Sequence, residues 1–143
     1  MQYLTDTPDG AWAEFLRHEE IRDPVDLQGV RRAIWAIDLA EPPTIPPALE
    51  PHIALGNPET YSACQEAAAA LRGAGEPGLV APSAALFEGA ARGWRVEHGL
   101  QEAAPRDGHV FVLFGARPEA TGWLAAVGRP GEDVLSRVRH FTL

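Results

Sequence analysis

The sequence predicts an α+β (mixed α/β) fold, and three observations carry that prediction. Helix and strand patterns alternate in the first half of the chain. Strand patterns cluster in the second half, unlike the regular alternation of a doubly wound nucleotide fold. Two segments open on a cap residue followed by proline, the start signature of a helix. The length, 143 residues, is that of one domain, and a chain of this size buries about two-thirds of its unfolded surface.

The elements follow in order. Gln2 to Thr5 reads as a short strand. Thr7-Pro8 then starts a helix, with Thr7 as N-cap and Pro8 at the first helical position. Asp9 in the first turn suits the helix dipole. The helix is expected to run to about Glu20, with Ala11, Trp12, Phe15 and Leu16 as its apolar stripe and Glu14 and His18 beside it. Arg31 to Leu39 reads as a strand, and its nearly unbroken apolar centre, Ala33 to Ile37, predicts cover on both faces. Glu41 to Pro47 is too rich in proline for helix or central strand and is an ordered crossing loop.

Asn57-Pro58 repeats the cap-then-proline signature. The helix it opens carries Tyr61, Cys64, Ala68 and Leu71 at helical spacing and ends at Gly73 and Gly75. Leu79 to Ala81 is a strand closed by Pro82-Ser83, and residues 84–107 read as loop with one helical turn. Val110 to Phe114 and Trp123 to Val127 are strands, separated from the chain end by the turn Gly128 to Gly131. Val134 to Thr142 is expected as a last strand, with a helix over Glu132 to Arg139 as the alternative. The balance is five or six strands and two main helices.

Composition narrows the function. The net charge of −8 disfavours a nucleic-acid surface, which needs a basic patch, and disfavours anionic membranes. All 12 basic residues are arginine, so Schiff-base and P-loop lysine chemistry is excluded. Cys64 is the single cysteine; no intrachain disulfide can form, and the residue reads as a small core side chain. No apolar run approaches the length of a membrane span, and the N-terminus lacks a signal-peptide layout, so a cytoplasmic location is expected. The five histidines are scattered without ligand spacing, and no metal is expected. No GxGxxG, Walker, HExxH or GxSxG motif is present.

Three residues stand out as site candidates: Tyr3, Glu14 and Ser83. Each has an ordinary explanation by itself. Serine after proline at a strand end commonly serves a turn or a helix cap. Glu14 can pair with Arg17 or His18 on a solvated helix face, and Tyr3 can be an edge-strand aromatic. Their order and separation carry more. Tyr3 through Glu14 to Glu20, then Arg31 to Ile37, then Gly78-Leu79-Val80-Ala81-Pro82-Ser83-Ala84-Ala85-Leu86, together with Val110 to Gly115 and the closing Trp123 to Phe141 region, resemble the RES domain family over nearly the whole chain.

The resemblance implies a single RES-like domain over residues 1–143, with an ADP-ribosyltransferase-like arrangement of small sheets flanked by helices. It implies an enzyme that takes NAD as substrate and breaks its nicotinamide–ribose bond, as a glycohydrolase, a phosphorylase or an ADP-ribosyltransferase. It also implies a toxin-type component of a toxin–antitoxin pair, so the partners expected are NAD and an antitoxin protein, with a homo-oligomer left open. On this reading Glu14 and Ser83 are the catalytic positions and Tyr3 binds substrate. The chemistry suits the residue types, because a carboxylate stabilises an oxocarbenium ion and an aromatic face receives the cationic nicotinamide. A serine hydroxyl can fix the pose of the bound molecule.

One departure is expected to matter. The family's arginine precedes the tyrosine strand, whereas here only Met1 and Gln2 precede Tyr3, and Arg17, Arg22, Arg31 and Arg32 all follow it. Either the chain begins too late, through truncation or a misplaced start, or that element is lost, and loss of such an anion clamp costs about 1.5–3 kcal/mol. The alternative function is a shortened and catalytically weak RES-like domain that serves as a protein-interaction module.

Overall fold

The computed structural model describes residues 1–96, 98 and 100–142. It is an α+β structure of helices and small antiparallel sheets. In chain order the elements are β1 (Gln2–Thr5), α1 (Pro8–His18), β2 (Arg32–Asp38), α2 (Pro51–Ala54), α3 (Tyr61–Gly73), β3 (Gly78–Pro82), β4 (Ala91–Val96), β5 (Leu100–Arg106), β6 (His109–Leu113) and β7 (Thr121–Gly128). Short 3₁₀ turns lie at Pro24–Gly29, Pro58–Thr60 and Glu132–Arg137.

Local chemistry sets the two long helices. Thr7 caps α1 by accepting the Gly10 N–H at 3.0 Å, with Pro8 in the first turn, as the sequence predicts. At the other end of α3, Gly75 takes φ +85, the Gly75 N–H reaches Arg72 O at 3.0 Å and the Glu76 N–H reaches Leu71 O at 3.1 Å. That is a Schellman closure, and the left-handed residue within it is glycine because a Cβ there is strained.

Three separate sheets form among the described residues. In the first, β6 lies between β1 and β3, so Tyr3, Val112 and Leu79 make one row across it. Helix α3 covers this sheet with Ala68 and Leu71 against Leu79, Val112 and Phe114. A second core gathers Ala13 and Leu16 of α1, Leu27, Ala85, Leu86, Ala91, and Val134, Leu135 and Val138 from the chain end. The other two sheets are the pairs β2–β7 and β4–β5.

Three expectations are corrected. The stretch 84–107 is loop only in part: residues 84–90 are irregular, but Ala91–Val96 and Leu100–Arg106 form the β4–β5 pair, while residues 97 and 99 lie outside the described residues. Its sequence, with Gly93, Glu102, Pro105 and Arg106, carries only a weak strand signal at Trp94 and Val96, and the ladder itself sets the structure. The last strand is replaced by the 3₁₀ turn Glu132–Arg137, and only Val138 forms a bridge, to Leu86. Val134, Leu135 and Val138 are apolar because they fill the second core, spaced as a helical turn rather than a strand. Finally, β2 is not covered on both faces. Among the described residues it pairs with β7 alone and contributes to neither core cluster, and the pair leaves Trp35 of β2 60% and Trp123 of β7 54% exposed.

Asp9 does more than meet the helix dipole. It is 1% exposed and accepts from Arg92 Nε at 3.0 Å, Arg92 Nη2 at 2.9 Å, the Arg92 backbone N–H at 3.1 Å and Arg137 Nη1 at 3.2 Å. Burial pushes its carboxyl up, but the Arg92 hydrogen bonds and the charges of Arg92 and Arg137 outweigh burial and hold it below 3.8. The first turn of α1 is thereby tied to β4 and to the C-terminal turn.

A folded pKa held below the unfolded one gives stability that is complete above pH 3.8 and lost as pH falls through the folded value. Asp9→Asn is therefore expected to lower the unfolding free energy at neutral pH by about 2 kcal/mol. It should also flatten the acid limb of the stability profile. Urea unfolding between pH 2 and 7, on a scale of about that range, checks both; an unchanged acid limb would assign the acid sensitivity to other carboxylates.

Candidate active site

The two faces of α1 have different tasks. Asp9, Ala13 and Leu16 are buried, whereas Ala11, Trp12, Glu14, Phe15 and His18 line a cleft of about 1370 Å³, and Arg17 is buried at the cleft wall. The predicted apolar stripe serves both: Leu16 is buried in the second core, Trp12 and Phe15 pack against that core and also line the cleft, and Ala11 lines the cleft. The opposite walls come from the Tyr3–Val112–Leu79 row, from β2, and from Tyr61 and Cys64 on α3. In β7 the register slips opposite Ile34 and Trp35, and Ala125, the residue skipped by the pairing, also lines the cleft.

Glu14 and Ser83 meet, although they are far apart in sequence. Ser83 Oγ donates to Glu14 Oε1 at 3.3 Å, and Glu14 Oε2 lies 3.4 Å from His18 Nε2. Both carboxylate oxygens thus have a neighbour, and the Glu14 side chain, 28% exposed, still faces the cleft. Ser83 is buried and also keeps the turn role: its Oγ accepts the Ala85 N–H at 3.3 Å, and its own N–H reaches Gly108 O at 2.9 Å. Among the described residues Tyr3 shares no hydrogen bond with this pair. It lines the cleft from the edge strand β1 and is 68% exposed.

The Glu14–Ser83 geometry depends on Arg17, one turn further along α1. This buried guanidinium donates to Ala84 O, to Arg139 O at 3.1 Å and to Gly56 O at 2.5 Å. The Phe141 ring lies 4.4 Å from it. Arg139 adds weaker contacts to Ser83 O at 3.4 Å and Ala84 O at 3.3 Å. Burial pushes the Arg17 guanidinium below its ordinary value, against the pull of Tyr61 and Glu14, which favour the charge. The Tyr61 phenol is pushed up by burial and by Glu14, with Arg17 opposing, so its hydroxyl stays protonated across neutral pH.

Sequence reasoning missed Arg17 and Tyr61 as parts of this site. Arg17 acts on backbone carbonyls, which leave no mark in a sequence. Tyr61 has helical spacing with Cys64 and Ala68 and is placed with them, but its phenol reaches the cleft. Cys64 is half-buried at the cleft wall, with its thiol 3.7 Å from Ile53 O, instead of a core residue. Among the described residues no group of His, Cys, Asp and Glu is placed to hold a metal ion, and no helix is long and apolar enough to cross a membrane.

Arg17→Gln leaves several carbonyls without a donor and is expected to cost about 3 kcal/mol of stability in urea unfolding. A change within about 0.5 kcal/mol, the range of an ordinary surface substitution, would show that the guanidinium does not hold these segments together.

The comparisons with known proteins give one match: a family model described as RES domain covers residues 1–125. The chain matches no curated protein and no solved structure.

Proposed function

The chain belongs to the RES domain family, and from that premise we propose that it is an enzyme that cleaves the nicotinamide–ribose bond of NAD. The observation that supports this reading best is the Glu14–Ser83 contact at 3.3 Å on the wall of an open cleft. The cleft's volume, about 1370 Å³, exceeds that of pockets for ordinary small ligands and suits a dinucleotide.

In this reaction the C1′–N bond of the nicotinamide riboside breaks. Its electron pair passes to the ring nitrogen, so the cationic nicotinamide leaves neutral and positive charge develops on the ribose. Glu14 opposes that charge. Its carboxylate is partly withdrawn from water, which strengthens the interaction, and it is already oriented by Ser83 and His18, so little reorganisation is needed. An acceptor (water, phosphate or a protein side chain) then bonds to C1′ and releases its proton. Tyr3 offers an exposed ring at the rim for the nicotinamide. Consumption of NAD would deplete a shared metabolite, and the proposal includes a toxin role held in check by an antitoxin protein.

Incubation of the full chain with NAD is expected to release nicotinamide, measured by chromatography. Glu14→Gln should lower the rate at least about a hundredfold with an unchanged circular dichroism spectrum, because the amide keeps the shape and removes the charge. An equal rate in Glu14→Gln would overturn the role of that carboxylate. Absence of release from the unsubstituted chain would overturn the reaction and favour the interaction module.

A further inference from the structure

A dinucleotide brings a diphosphate into the cleft, and on a chain of net charge −8 that anion needs a local cation. The basic side chains that line the cleft are Arg17, His18 and Arg32. Two of them are engaged. Arg17 spends its donors on Gly56, Ala84 and Arg139 carbonyls, and His18 faces Glu14. Of the acids at the cleft, Asp6 is taken by Arg106 at 2.6 Å and by His109, while Glu14, Glu19 and Asp38 also line it.

Arg32 differs from the other two. It is the first residue of β2, on the wall across from α1, and it is exposed. Among the described residues its guanidinium meets no carboxylate and no carbonyl. Its one contact is with the Phe15 ring, whose centroid lies 5.1 Å from Cζ. Phe15 directly follows Glu14 on α1 and lines the same cleft. Stacking on an aromatic ring engages the flat face of a guanidinium and leaves its N–H edge for a planar or tetrahedral oxyanion. The contact also holds a long side chain in place, so less rotamer freedom is lost when an anion binds.

We propose that Arg32, placed on the Phe15 ring, is the residue that binds the diphosphate of the substrate in this cleft. The inference rests on the reading of the cleft as a site for NAD. It assigns the anion contact to β2, an element different from the one that carries the arginine expected from the family resemblance. It also explains an arginine that stands at the cleft wall, at the opposite end of β2 from Asp38, without an acidic partner among the described residues.

The experiment is calorimetric titration of the full chain and of Arg32→Gln and Arg32→Lys with ADP-ribose, and with nicotinamide riboside, which carries no phosphate. Nicotinamide release from NAD is followed in parallel. Arg32→Gln is expected to weaken ADP-ribose at least about tenfold, to raise KM for NAD more than it lowers kcat, and to leave nicotinamide riboside unaffected. Arg32→Lys should recover part of the ADP-ribose affinity, since it restores charge without the fork. Thermal unfolding of each variant confirms the fold, which an exposed side chain leaves intact. Equal ADP-ribose affinity in Arg32→Gln overturns the inference, and so does the absence of ADP-ribose binding by the unsubstituted chain. NAD cleavage with an unchanged KM in Arg32→Gln overturns the inference while the NAD-cleaving reading stands. Arg32-dependent ADP-ribose binding without nicotinamide release upholds the diphosphate site and overturns the reaction.

Discussion

The buried guanidinium of Arg17 is the contact on which the rest of the site depends. A charge withdrawn from water is costly unless its donors are matched, and here they are matched by carbonyls from three distant segments, at Gly56, Ala84 and Arg139. Helix α1 is thereby joined to the loop after β3, to the segment before α3, and to the chain end. Glu14 lies one turn before Arg17 on the same helix, and Ser83 directly precedes Ala84. Fixing Arg17 against Ala84 therefore fixes Glu14 against Ser83, and the 3.3 Å contact follows from the helix repeat.

The cleft exists because the chain builds two cores instead of one. α3 with the β1–β6–β3 sheet forms one, and α1 with the C-terminal turn and Ala85, Leu86 and Ala91 forms the other. Asp9, held by Arg92 and Arg137, ties down the start of α1, and Arg17 ties down its end. The helix is thus anchored at both ends on its buried side, which leaves its other side free to present Glu14, Phe15 and His18. The β2–β7 ribbon closes the remaining wall without joining either core, which accounts for the exposure of Trp35 and Trp123.

The parts legible in the sequence are those set by local chemistry. The Thr7-Pro8 cap, the Gly75 closure and the β1 and β6 strands depend on neighbouring residues and can be read from them. The α+β class follows from the same patterns. The β4–β5 pair could not be read, because its residues mix small, charged and proline positions without a sustained strand pattern, and a ladder sets its structure. The apolar run of β2 misled for a physical reason: a strand that walls a cleft is as apolar as one inside a core. Tyr3, Glu14 and Ser83 were visible as a pattern, and the structure brings Glu14 and Ser83 into contact while Tyr3 stays at the rim. Arg17 and Arg32 were not, since a carbonyl contact and an aromatic contact across the chain carry no spacing rule.

The central claim is that the Glu14 carboxylate, held by Ser83, acts on the ribose of NAD. The most direct measurement is a crystal structure of the full chain with a carbocyclic NAD analogue, which cannot be cleaved. The result expected is a nicotinamide-side ring with a hydroxyl within hydrogen-bond distance of Glu14, the Glu14–Ser83 contact kept, and the diphosphate at Arg32. An analogue bound with its nicotinamide-side ring away from Glu14, or bound outside the cleft, would contradict it.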